Sequence, residues 1–192
     1  ALLATSAPPH AGDPAAIPMF QKVLASRGAS EAVRAYTIHA LGKYASHADE
    51  KVRKAAQDTL LASLKDKRDA VKQSAILALG NFSDVAVIAG LVKEGLDDPD
   101  SYAKIFASHS LGRIAGRCGP SSAEYKKIAK ALAEVSENDN KDRWLFQAGN
   151  LSLAAMASSD QEKSLLDLVE KKLNPNSASA VVLSLGMLGS DS

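Results

Sequence analysis

Apolar side chains along this chain recur every three to four residues and rarely alternate. Val52, Ala55, Ala56, Leu60 and Leu64 fall at helical spacing, with Lys51, Arg53, Lys54 and Asp58 between them. Leu165, Leu166, Leu168, Val169 and Leu173 do the same. That period gathers the apolar residues on one face of an amphipathic helix. Helices of this kind are predicted over roughly 14–27, 48–64, 84–96, 121–135 and 160–173. Val85-Ala86-Val87-Ile88 has some β character, but its length and flanks fit a helix in register.

A second set of segments lies between these, marked by a short recurring phrase. It reads Ala40-Leu41-Gly42, Ala78-Leu79-Gly80, Ser110-Leu111-Gly112, Ser152-Leu153-Ala154 and Ser184-Leu185-Gly186. The central leucines are 38, 32, 42 and 32 residues apart, spacings that suit a repeated helix pair. Three positions after each leucine the residue is apolar: Tyr44, Phe82, Ile114, Met156 or Leu188. Eight positions before it stand Val33, Val71, Ala103, Leu145 and Ser177. A small residue always precedes the leucine, and such residues let neighbouring helices approach closely. The glycine that follows in four copies has the same expected role, since a helical glycine costs about 1 kcal/mol against alanine. Start signals precede each of these second helices: Ser30, Asp66 with Asp69, Asp97 to Asp100, Asn138 to Asn140, and Asn174 to Asn176.

The pattern therefore predicts an all-α protein of five helix pairs. One such pair cannot bury its own apolar face, so successive pairs stack into a right-handed α–α superhelix, an α-solenoid. The predicted boundaries are an irregular arm over 1–13 and repeats over about 14–45, 48–82, 84–116, 121–157 and 160–189. Residues 190–192 form a tail. The composition agrees: 34 alanines and 23 leucines favour helix, and only 5% of residues are aromatic.

The residues that carry the repeat resemble the HEAT family of armadillo-like solenoids. Its second helix opens with a Val-Arg pair and closes on Ala-Leu-Gly, as in Val33-Arg34 to Ala40-Leu41-Gly42 and Val71-Lys72 to Ala78-Leu79-Gly80. The third copy has Ala103-Lys104 leading to Ser110-Leu111-Gly112, and the last two lose the basic residue. Glu50 to Ala56 hold a related phrase inside a first helix. The likeness spans about residues 14–189. It implies that Arg34, Lys72 and Lys104 join an Asp ladder between repeats, and that the second helices line a concave face.

The outward positions of those second helices follow from the 100° step. They are Tyr36, His39 and Lys43 in the first copy, then Tyr102, Phe106, His109 and Arg113 in the third, and Trp144 in the fourth. Aromatics and arginine are the usual anchors of protein interfaces. These eight residues are the candidate partner-binding set, for a peptide or protein on the concave face. The competing structural reading tilts Tyr36, Phe106 and Trp144 into the core between repeats. Leu151, Leu183 and Met187 continue the stripe as apolar surface, which a partner or further repeats of a longer chain would cover. Both ends of the sequence read as cuts through something longer.

Chemistry is sparse. The expectation is a non-catalytic scaffold, or the scaffold domain of a larger protein, with no cofactor and no metal. His39 and His109 stand in different repeats, and no His-Glu dipeptide of the kind found in HEAT-repeat di-iron hydroxylases is present. Ser108-His109-Ser110 is no triad, because adjacent helical residues diverge. Cys118, next to Arg117, is a loop thiol whose basic neighbour would lower its pKa, but it has no designated base. The sequons at Asn81 and Asn150 fall near or in packed helices.

Two other classes remain as alternatives. A HEAT-like alkylpurine DNA glycosylase would use Lys43, Arg113, Arg143 and Trp144, but 23 basic against 22 acidic residues argues against a nucleic-acid face. A bilin-lyase-like subunit is open on fold analogy. No apolar run is long enough to span a bilayer. The single cysteine fits a reducing compartment such as the cytoplasm, and a disulfide-free exported protein equally.

Overall fold

The computed structural model describes residues 12–136 and 143–156, together with 163, 166, 167, 178, 179, 181–183 and 185. Every element among the described residues is helical. Four helix pairs stand where the repeat places them. The fifth lies outside the described residues, apart from the few helical positions just named. The chain divides into two compact units, Ala1–Gly90 and Leu91–Ser192.

The first unit contains α1 (Ala16–Ala25), α2 (Glu31–Gly42), a 3-10 turn (Lys43–Ser46), α3 (Glu50–Ser63), α4 (Asp69–Leu79) and α5 (Val85–Gly90). The cap predicted at Ser30 is present, Asp49 adds one that the sequence reading did not name, and α4, with Arg68 at its N-cap, starts without the side-chain cap expected from Asp66 or Asp69. The Ser30 hydroxyl accepts the Val33 N–H at 3.3 Å, and Asp49 accepts that of Lys51 at 2.8 Å. Each satisfies a donor that the first helical turn leaves without an intrahelical partner. The second helices α2 and α4 pack on one another, while α3 packs on α1 and α5. Between these two layers sit Ile17, Phe20, Ile38, Leu41, Leu60, Ile76 and Leu79, all buried.

The repeat leucine and its neighbours account for the closeness of α2 and α4. A Cβ added to Gly42 would lie 3.0 Å from the Ala78 Cβ and 3.3 Å from its Cα. Gly42 follows one repeat leucine and Ala78 precedes the next, so the glycine of one copy seats the small residue of its successor. The Asn81 amide donates to the Gly42 carbonyl across the same joint at 3.3 Å. Two residues beyond Gly42, Tyr44 lies edge-on to Phe20, and its hydroxyl donates to the Asp13 carbonyl at 2.8 Å.

Arg34 differs from the expectation. Its side chain is 3% exposed, and its guanidinium donates to the carbonyls of Leu24, Ser26 and Ala29, where α1 ends. It therefore closes its own repeat, where the resemblance implied an Asp ladder between repeats. The carbonyls at a helix C-terminus lack intrahelical partners and carry partial negative charge, which a fork of N–H donors meets well. Val33 is correspondingly displaced outward and 38% exposed, because Arg34 takes the inward direction of the first turn. Arg53 repeats the device on α3, donating to the carbonyls of His47 and Ala48 at 2.6 and 3.0 Å. Lys72 reaches Asp69 in its own helix at 3.2 Å.

The second unit opens with a π-helical turn (Leu91–Leu96), followed by α6 (Ser101–Ala115), α7 (Ala123–Ser136) and α8 (Arg143–Ala155). Asp100 caps α6, accepting the N–H groups of Tyr102 and Ala103 at 3.2 and 3.1 Å. Ser122 accepts that of Tyr125 at 3.1 Å, at the start of α7. α6 packs on α8, and both pack on α7. Leu111, Ile114, Ile128, Leu132 and Phe146 are fully buried among them. The joint seen in the first unit recurs: a Cβ on Gly112 would lie 2.9 Å from the Ser152 Cβ and 3.2 Å from its Cα.

Candidate functional site

In the first unit α2 carries Tyr36, His39 and, just past its end, Lys43. Thr37, Ile38 and Leu41 face inward and hold the helix by that side. Residues three and seven further along a helix return to the same face, so Tyr36 and His39 point away from the core. Tyr36 is 77% exposed, and His39 is exposed. Lys43 is exposed too, but it opens the 3-10 turn.

In the second unit α6 carries Tyr102, Phe106, His109 and Arg113, spaced by four, three and four residues. Ala103, Ala107, Leu111 and Ile114 bury the opposite side of the helix. Tyr102 is 65% exposed, His109 and Arg113 are exposed, and Phe106 is half-buried. On α8, Leu145 and Phe146 are buried and Trp144 is 61% exposed. The contact of Gly112 with Ser152 sets the register between the two helices. Tyr102 and Trp144 each stand nine residues before their own repeat leucine, so they occupy equivalent positions on neighbouring helices.

The tilt of Tyr36 and Trp144 into the core does not occur, while Phe106 lies between the two outcomes. Leu77 on α4 is 37% exposed and Leu151 on α8 is half-buried. Leu183 is 58% exposed, and Met187 lies outside the described residues.

Charge is distributed unevenly over the second helices. Along their full lengths α6 and α8 contain Lys104, His109, Arg113 and Arg143 and no acidic residue. By contrast, α2 begins with Glu31 and α4 with Asp69. Arg117, one turn beyond Arg113, extends the basic end of α6. Burial, and then the nearby Arg113 charge, hold it below the ordinary arginine value. The sequence reading passed over this pair, although its four-residue spacing was the available signal.

Among the described residues no group of three His, Cys, Asp or Glu side chains is placed to hold a metal ion. The Ser108 side chain is fully buried and donates to the Lys104 carbonyl at 3.0 Å, inside its own helix. Cys118 is half-buried. Burial and the Glu124 carboxylate raise its pKa, and Arg117 offsets them only in part, opposite to the direction the basic neighbour alone suggested. Asn150 is fully buried, so its sequon is closed in the fold, whereas Asn81 is exposed in the turn after α4. An open cleft of about 560 Å³ lies between α1 and α3, lined by Gln21, Leu24, Thr59, Ala62 and the acidic Asp58 and Asp66. The Gln21 amide donates to the Thr59 hydroxyl across α1 and α3 at 2.9 Å.

The family pattern of HEAT repeats matches residues 17–112, half of the chain. The protein belongs to the HEAT-repeat family. Solved structures of similar fold agree with that membership. One is the complex of CpcE and CpcF of phycocyanin lyase from Nostoc sp. PCC7120, with a TM-score of 0.67 and 16% identity over 90% of this chain and 99% of that one. A designed armadillo repeat protein in complex with the peptide (KR)4 gives 0.58 and 20%, over 89% and 82%. Human deoxyhypusine hydroxylase in complex with glycerol gives 0.54 and 16%, over 92% and 75%. Identities this low speak to fold. No curated protein matches the chain in sequence. No described helix is long and apolar enough to cross a membrane.

Proposed function

We propose that this HEAT-repeat chain is a non-catalytic interaction scaffold that binds a protein or peptide on the outward face of its second helices. One observation carries the reading: Tyr36, Tyr102 and Trp144 are 61–77% exposed on helices whose opposite sides are fully packed. Large aromatics give up little entropy on binding and contribute much contact area, which makes them the usual anchors of interfaces. The designed armadillo neighbour, with its bound peptide, is a precedent for a peptide on this architecture.

The test is selection of binders from a random peptide display library, followed by Tyr102→Ala and Trp144→Ala. Each is expected to weaken a selected peptide by about 2 kcal/mol, roughly thirtyfold, at unchanged helicity. Lost helicity in both variants would assign these aromatics to the core and end the proposal.

A second reading, a bilin-lyase-like subunit, is favoured by the overlap with nearly the whole length of a phycocyanin-lyase chain. It requires that an added bilin change its visible absorption on mixing with the protein. An unchanged spectrum removes it.

A further inference from the structure

We draw no further inference here: the strongest candidate, the outward face of α6 and α8 where Tyr102 and Trp144 stand exposed, belongs to the site already described, and nothing in the structure shows what covers it.

Discussion

At the scale of single residues, identity and placement work against each other in two informative cases. The resemblance puts Arg34 in an Asp ladder between repeats, yet its side chain is buried on the carbonyls of Leu24 at the end of α1 and of Ser26 and Ala29 in the turn that follows. A hydrogen bond from a charged donor contributes about 1.5–3 kcal/mol, which offsets the cost of removing the guanidinium from water. Cys118 is the opposite case, a thiol whose neighbour in sequence suggests activation. Its surroundings raise its pKa, with burial first and Glu124 second. Native Cys118 therefore keeps its proton at a pH where the unfolded chain has lost it. The contribution of this thiol to stability is full below the ordinary cysteine value and is lost as pH rises through the elevated one. The pH midpoint of iodoacetamide alkylation of the native protein should lie above that of the same cysteine in urea. Glu124→Gln should bring it down and Arg117→Gln should move it further up. A native midpoint below the unfolded one would contradict the assignment.

At the scale of helices, the stack is governed by a joint that repeats. Gly42 against Ala78 and Gly112 against Ser152 place the glycine after one repeat leucine on the small residue before the next. Helix propensity alone would reward replacing either glycine, by about 1 kcal/mol for alanine. Packing reverses that sign, because the obstructing atoms include the Ser152 backbone, which moves only if α6 and α8 separate. Gly112→Val should destabilise the protein by about 2 kcal/mol, read as a lower urea midpoint by circular dichroism. Ser152→Gly in the Gly112→Ala background should recover part of the loss, since the two sites share one contact. Equal or greater stability of Gly112→Val would show that the two helices are not locked at that point.

At the scale of the whole molecule, charge separates the remaining functional classes. A protein that grips a duplex releases counterions in proportion to the phosphates it neutralises, so it needs many cations on one face. This chain carries a net charge of +1, with 23 basic against 22 acidic residues. Duplex DNA should therefore show no mobility shift with the protein even at low salt. A salt-dependent shift would restore the glycosylase-like alternative.

Much of this architecture was legible in the residues themselves. The helical period, the recurring leucine phrase and the caps at Ser30 and Asp100 are local properties, set by the 100° step and by donors that a helix start leaves unpaired. They place four described helix pairs within a few residues of where they occur. The outward direction of Tyr36, Tyr102 and Trp144 follows from the same periodicity. Tertiary structure decided what depends on neighbours distant in sequence. It placed Lys43 in a 3-10 turn, left Phe106 half-buried, drew Arg34 inward onto the end of α1, and turned the pKa shift of Cys118 upward. Each of these outcomes is a sum over surroundings that the local pattern does not contain. Burial, the carbonyls of another helix and a carboxylate six positions away act through space, and only the packed chain brings them to bear on one group.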